Sequence, residues 1–328
     1  MRLLVTGATG FVGSQLAIEA ARRGHEVTGT GRSAGGKVVS DLSTAGVRYV
    51  AGDLTDAAFA AAITRNITHV CHLAAAWREA AAPAEHFERV NVAGSMALAS
   101  AAAANGVGVF VFCSTIGVHA RVARAPVSEQ SPFDATNPYE TSKLHAEQRL
   151  IEFARQTPMR IAVLRPADAY GPGDTRLLRL FRSVQSGRFP LIGPGDGRRH
   201  MLFVEDLVNA FLAACEANFP SGEVFIVAGP ESTTLRELLR QLALLTGSRR
   251  FGFRVPRWLM QVAAAVVEDL SRLLNRAPPL HRRTLDFYRT DVTYDTRKAQ
   301  QTLQWQPSVG LNEGLRRTLD WYRARGLM

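Results

Sequence analysis

Tyr139 and Lys143, in the segment YETSK, are the residues whose types and spacing point most directly to chemistry. Four positions apart on a helix, they share one face, and Pro138 suits that helix's first turn. A phenol with a pKa of about 10 is a poor acid–base catalyst at neutral pH. A neighbouring ammonium favours the phenolate, and the same lysine can reach the sugar hydroxyls of a bound nucleotide. Lysine occurs only at 37, 143 and 298 in a chain with 39 Lys and Arg, so position 143 stands out from an arginine background. An exposed Tyr–Lys pair on a helix would look the same in sequence. Upstream, the strand-like run VGVFVFCST ends in Ser114 and Thr115. A hydroxyl at a strand's C-terminal edge can hydrogen-bond the oxygen that the tyrosine protonates or deprotonates. Both residues qualify, and a loop-capping role is the plain alternative for either.

A nucleotide needs its own cradle. Gly7, Gly10 and Gly13 fall in TGATGFVG, directly after the run RLLVTG and at the mouth of the helical stretch FVGSQLAIEAARRG. Glycine permits a tight turn and close backbone approach to a pyrophosphate, and the helix N-terminus offers N–H groups and a positive dipole end. Thr9, Phe11 and Val12 complete the turn. The spacing is weak alone, but a strand before and a helix after make it a dinucleotide site. NAD sites place an Asp or Glu at the end of the second strand to hold the ribose. Here that strand ends Thr28-Gly29-Thr30-Gly31-Arg32-Ser33, with no carboxylate. Arg32 and Ser33 could hold a 2′-phosphate, so NADP is the expected cofactor and NAD the alternative. An ordinary exposed loop arginine, with Lys37 equally incidental, is the bland reading. Asp53-Leu54 follows the third strand, where a carboxylate could accept from the adenine amine or could cap the next helix.

Positioning these groups requires alternating elements. RLLVTG, HEVTGTGR, VRYVAGD, THVCHLAA, VGVFVFCST and RIAVLRP read as strands. Between them AAFAAAITRN, ERVNVAGSMALASAAAANG and the stretch from Tyr139 to Gln156 have helical periodicity. This predicts an α/β, doubly wound parallel sheet of the Rossmann kind, with ligands at the strand C-termini. After Pro166 the pattern loosens into turn-rich segments. FVEDLVNAFLAACEA reads as a helix and GEVFIVAG as a strand returning to the main sheet. Residues 1–168 with 203–228 are expected to form the dinucleotide domain, and 169–202 with 229–328 a smaller, interleaved substrate domain.

Composition sets outer bounds. Apolar residues make up 46% and charged residues 21% of 328, ordinary for a globular chain with a large core. No apolar run reaches the roughly 20 residues of a membrane span, and Met1-Arg2 leads straight into strand-like sequence rather than a signal peptide. Three scattered cysteines, Cys71, Cys113 and Cys215, give neither a disulfide framework nor a metal site. A cytoplasmic location is the expectation. The net charge is +10, and residues 249–328 hold 15 Lys and Arg against 7 Asp and Glu. The arginines are scattered and no nucleic-acid motif accompanies them, so a solvated basic surface is expected rather than a nucleic-acid partner.

TGATGFVG, GDLTD, HLAA, NVAGS, ST before the YETSK helix, LRPADAYGPGD and FVEDLVNA occur in the order seen in extended short-chain dehydrogenases. The chain resembles that superfamily, which includes nucleotide-sugar epimerases and dehydratases and 3β-hydroxysteroid-dehydrogenase-like enzymes. The resemblance spans essentially the whole sequence. It implies that Thr115 is the catalytic hydroxyl with Ser114 its neighbour, and that Asn91 helps hold the lysine and its water. It implies further that Leu73, Ala74 and Ala75 line the nicotinamide, that Pro166 and Tyr170 approach its amide, and that Trp77, His119, Tyr170 and Arg199 face substrate. Homodimers through the NVAGS and YETSK helices are common in the family. Three departures stand out: His119 replaces a usual Tyr, Asp168 a frequent Asn, and the acid of the second strand is missing.

Three functions follow. The first is a 3β-hydroxysteroid-dehydrogenase-like reductase or dehydrogenase acting on a mostly apolar ketone or alcohol. It is suggested by Arg32 and by PRWLMQVAAAVVEDLSRLL followed by APPLHRRTLDF. The second is a nucleotide-sugar epimerase or dehydratase, with Arg199 on a substrate diphosphate. The third is a cofactor-sensing regulator without chemistry, against which the intact Thr–Tyr–Lys set argues.

Overall fold

The computed structural model of the chain describes residues 1–77, 82–120, 125–248, 253–256 and 291–328. The Trp258–Leu274 stretch and the APPLHRRTLDF segment, which carried the likeness to the steroid-dehydrogenase group, lie outside the described residues.

The chain divides into two units, the first being 1–169, 204–228 and 294–308. Most of its strands are buried along nearly their whole length, the pattern of strands covered on both faces. They are β1 (Arg2–Thr6), β2 (Glu26–Gly31), β3 (Arg48–Ala51), β4 (His69–His72), β5 (Val109–Cys113) and β6 (Arg160–Pro166). With Glu223–Val227 they form a seven-stranded sheet in the order 223–227, β6, β5, β4, β1, β2, β3. Every pairing is parallel. The helices are α1 (Phe11–Arg22), α2 (Lys37–Thr44), α3 (Ala57–Ile63), α4 (Ala84–Phe87), α5 (Gly94–Ala104) and α6 (Pro138–Phe153). Between α4 and α5 the chain widens into a π-helical turn, Glu88–Ala93, which periodicity did not anticipate. Ala60, Ile63, Leu98, Ala102, Ala146 and Leu150 bury one helical layer against Leu4, Val70, Phe110, Phe112 and Val163 of the sheet.

The strand reversal between β1 and β4 leaves the C-termini of β1, β4, β5 and β6 along one edge, where ligands bind in such sheets. Residues 294–308, expected in the second domain, return to the first unit. Trp305 Nε1 donates to Asp206 O at 2.9 Å, Ser308 N donates to Asp206 Oδ1 at 2.9 Å, and Lys298 pairs with Glu223.

The second unit comprises 170–203, 229–293 and 309–328. Helices Leu178–Gln185, Leu235–Thr246 and Leu311–Ala324 supply its core through Phe181, Leu239, Leu242, Leu315 and Tyr322. Among the described residues no helix is long and apolar enough to cross a membrane.

Candidate active site

The glycine turn is tight enough to require its glycines. Gly7 sits at φ +67°, and a Cβ there would fall 2.8 Å from Ala74 N. A Cβ on Gly13 would fall 2.2 Å from Gly7 O, so α1 can seat on the turn only without one. Gly10 caps α1 with no side-chain acceptor, and the first turn of α1 holds no acid. Anionic oxygens are what such an uncapped helix start accommodates. At the end of β2, a Cβ on Gly31 would lie 2.8 Å from Thr9 Oγ1, so the glycine turn and this strand end are in contact. Arg32 and Ser33 are exposed there, and Ser33 O accepts from the Tyr49 hydroxyl at 2.6 Å. Lys37 pairs with Asp41 at 2.9 Å along α2. Asp53 is not a helix cap: Asp56 caps α3, and Asp53 Oδ1 accepts from Thr55 N and Oγ1, each at 2.9 Å. Those bonds hold its carboxyl below the usual range, helped by the charges of Arg32 and Arg89. Leu54 packs partly against the core. Backbone, charge and close approach thus fit a dinucleotide.

The reacting side chains come from β5 and α6. Asn137 Oδ1 accepts from Glu140 N at 3.0 Å and Pro138 occupies the first turn, which fixes the start of α6. Lys143 is 2% exposed, with Nζ 4.2 Å above the Phe112 ring. Burial holds its pKa down at about 8, although Cys113 and Glu147 oppose the fall. Tyr139, half-buried, presents its ring edge-on to Trp77 with centroids 6.5 Å apart. Trp77 is 46% exposed.

Thr115 is half-buried, and its Oγ1 accepts from Gly117 N at 3.1 Å. A capping hydroxyl of this kind keeps its own proton for donation. A Cβ on Gly117 would lie 2.9 Å from Glu140 Cγ, so the Thr115 turn abuts the first turn of α6. Ser114, beside it, is tied into the framework. It is 2% exposed and its hydroxyl donates to Glu147 Oε2 at 2.8 Å. Glu147 is in turn gripped by Arg165 through Nε, at 3.1 Å, and Nη2.

Behind these groups runs a buried chain of hydrogen bonds. Thr6 Oγ1 accepts from Leu73 N and Ala74 N, each at 3.1 Å, and lies 2.7 Å from His72 Nδ1. His72 Nε2 lies 2.8 Å from Ser95 Oγ, and Ser95 Oγ donates to Asn91 O at 2.5 Å. Asn91 Oδ1 accepts from Ala76 N at 2.8 Å, while its Nδ2 donates to Ala76 O at 3.0 Å and Ser142 Oγ at 2.9 Å. Ser142 Oγ donates to Tyr139 O at 2.8 Å. Asn91 therefore has no amide proton left for a lysine-bound water. It holds the 73–77 segment and α6 instead. Burial pushes the His72 imidazole down to about 3, with the Lys143 charge adding to the fall.

Three further expectations find their places. His119 is 2% exposed, Nδ1 donates to Pro132 O at 2.8 Å, Nε2 lies 2.9 Å from Arg165 Nη1, and the ring stacks on Phe133. Both ring nitrogens serve the fold, and burial keeps the imidazole neutral. Tyr170 belongs to the core of the second unit, 2% exposed and edge-on to Phe203. Arg199, in the same unit, is 9% exposed on a short strand paired with Thr233. Pro166 ends β6 opposite Val227, and Ala75 is half-buried in the segment that Thr6 and Asn91 anchor. Thr6, His72, Ser95 and Ser142 were missed. A His and a Thr inside apolar strands were the available signal, because buried polar groups must find partners. Among the described residues no cluster of His, Cys, Asp or Glu could hold a metal.

A parallel sheet with a glycine turn on its first strand and a Tyr–Lys helix beside its fifth defines an NAD(P)-dependent enzyme of the extended short-chain dehydrogenase type. The chain belongs to the NAD dependent epimerase/dehydratase family, whose family model matches residues 3–228. It is 30% identical to a 2-alkyl-3-oxoalkanoate reductase of Stenotrophomonas maltophilia, over 97% of this chain and 98% of that one. It is 29% identical to a dTDP-glucose 4,6-dehydratase of Streptomyces antibioticus, over 98% and 92%. The solved structure of MoeE5 in complex with UDP-glucose and NAD is 26% identical and covers 100% of both chains, with a TM-score of 0.78.

Proposed function

We propose that the protein is a reductase of a mostly apolar ketone that uses NADPH, with NADH the weaker donor. The observation that carries the reading is Trp77: a nearly half-exposed indole held edge-on to Tyr139, giving an apolar wall beside the reacting phenol. The named activity of the Stenotrophomonas reductase supports the same substrate class. The cofactor, when bound, supplies hydride to the carbonyl carbon. Thr115 orients the carbonyl oxygen by donating a hydrogen bond, and Tyr139 delivers its hydroxyl proton to that oxygen as the new C–H bond forms. Lys143 stabilises the phenolate left behind and holds the ribose. A cytoplasmic homodimer taking a small-molecule substrate is the expected setting.

A nucleotide-sugar epimerase or dehydratase is the second reading, favoured by the dehydratase relative and by Arg199 as a contact for a diphosphate. Purified protein with NADPH and a series of 2-alkyl-3-oxo acids should consume cofactor stoichiometrically. Interconversion of UDP- or dTDP-sugars without net cofactor change would replace the first reading by the second. Within the first, Trp77→Ala should raise KM for long-chain ketones about tenfold, while short ones change little.

Arg32 and Ser33, exposed at the end of β2 with no carboxylate in the strand's last residues, support the NADPH preference. Arg32→Ala should weaken NADPH about 10- to 100-fold, the worth of one charge-assisted hydrogen bond, and leave NADH nearly unchanged. Equal losses for both cofactors, measured by fluorescence titration, would refute this role.

A further inference from the structure

We infer that the buried chain Thr6–His72–Ser95–Asn91–Ser142 is a positioning device for Tyr139, in which His72, a residue with no ligand contact to make, keeps the catalytic helix in register with the segment behind the glycine turn. The inference rests on the acid–base role proposed for Tyr139.

The directions of the bonds are determined. Thr6 Oγ1 already accepts two backbone N–H groups, so its own proton goes to His72 Nδ1. His72 then carries its proton on Nε2 and donates it to Ser95 Oγ, whose proton goes to Asn91 O. The imidazole packs against Phe110 and Phe112 of the neighbouring strand, with centroids 5.8 and 5.7 Å away, and is 1% exposed. At that burial solvent cannot substitute for either partner.

From Asn91 the chain continues by the side chain, whose oxygen and both amide protons are engaged on Ala76 and Ser142. Ser142 ends it on the carbonyl of Tyr139 itself. Thus the first strand, the π-helical turn, the segment that carries Trp77 and the first turn of α6 share one set of hydrogen bonds. The other tautomer of His72 would leave two donors facing at Thr6. The single order of protons is what makes the arrangement unique.

Asn91 sits on the π-helical turn, with its backbone carbonyl taken by Ser95 and its amide facing Ser142. Widened turns of this kind are frequent at functional sites.

The test is a double-mutant cycle on the purified full chain, read by kcat, cofactor Kd and the pH profile of alcohol oxidation. His72→Phe keeps the ring packing and deletes both hydrogen bonds, and Ser142→Ala deletes the link to Tyr139. Each single change should lower kcat by roughly 10- to 100-fold, the cost of a small misplacement of a reacting group. Each should leave cofactor Kd within about twofold and raise the midpoint of the alkaline rise by roughly half a pH unit, as the phenol loses alignment with the ammonium. The double variant should be little worse than either single, as for residues that act as a unit. Losses that multiply in the double variant with an unmoved midpoint would overturn the proposal. If His72→Phe does not fold, Ser142→Ala against Ser142→Thr carries the same test. Threonine restoring kcat and midpoint supports the device, and alanine matching the parent in both overturns it. A parent enzyme whose rate survives Tyr139→Phe would instead refute the acid–base role on which the inference stands.

Discussion

Replacing Tyr139 by phenylalanine should lower kcat by roughly 10²- to 10⁴-fold, the usual contribution of a positioned acid–base group, with cofactor affinity nearly intact. The hydroxyl is the only group lost. The ring remains, so its edge contact with Trp77 at 6.5 Å persists, and α6 keeps its Asn137 cap and Pro138 start. The glycine turn and the end of β2, on which the dinucleotide is proposed to bind, are made of residues that the substitution does not touch. Thr115 still orients the carbonyl oxygen, so KM for the ketone should change little while the step that needs a proton fails. A stopped-flow measurement with excess enzyme checks this. Burst-phase reduction at more than about a tenth of the parent rate would remove Tyr139 from the chemistry. A large rise in cofactor Kd would point instead to misfolding of the edge.

Strand positions and the glycine turn were legible because they repeat a local rule. Short runs rich in Val, Ile, Leu and Phe that alternate with longer helical stretches mark the strands of a parallel sheet, and Gly7, Gly10 and Gly13 are spaced by the turn that they build. The Tyr139–Lys143 pair was legible for the same reason, its spacing being one helical turn. What sequence concealed was the network behind it. Thr6 and His72 are 66 residues apart, and Asn91 and Ser142 are 51 apart, so no spacing could announce them. For His119 and Tyr170, family position says where a residue falls in the chain and not which way its ring turns. In this chain Arg165 claims the one and the core of the second unit claims the other. The return of 294–308 to the first unit hinges on Asp206 and Glu223, surface-type residues whose pairing could not be read from composition.

Lys143→Met should abolish most turnover and at the same time stabilise the fold. At 2% exposure the lysine is nearly as buried as its neighbour Phe112, and its pKa has dropped from 10.5 to about 8 because desolvation outweighs the Cys113 and Glu147 contributions. Holding the ammonium there costs roughly 3 kcal/mol at pH 7 by the linkage between pKa and folding, and a methionine of similar volume removes that cost. A gain of about 1–3 kcal/mol, or a few degrees in Tm, is the expected size. The sign with pH follows from the depressed value. Below pH 8 folded and unfolded chains both carry the proton and the penalty is complete. Between about 8 and 10.5 the unfolded chain binds more protons, so the parent regains stability as pH rises and the advantage of the methionine variant shrinks. Thermal melts of both proteins at pH 7 and pH 10 separate this account from simple repacking, which would give the same difference at both. Activity should move the opposite way, because only the ammonium stabilises the phenolate of Tyr139. For the parent enzyme the ketone-reduction rate should accordingly fall as pH rises through about 8, and a rate that stays flat to pH 10 would disconnect Lys143 from Tyr139. A destabilised Lys143→Met protein with an unchanged pH difference would show that the lysine is retained for packing. A stabilised, inactive one would show that the fold carries an unfavourable buried charge for the sake of the reaction.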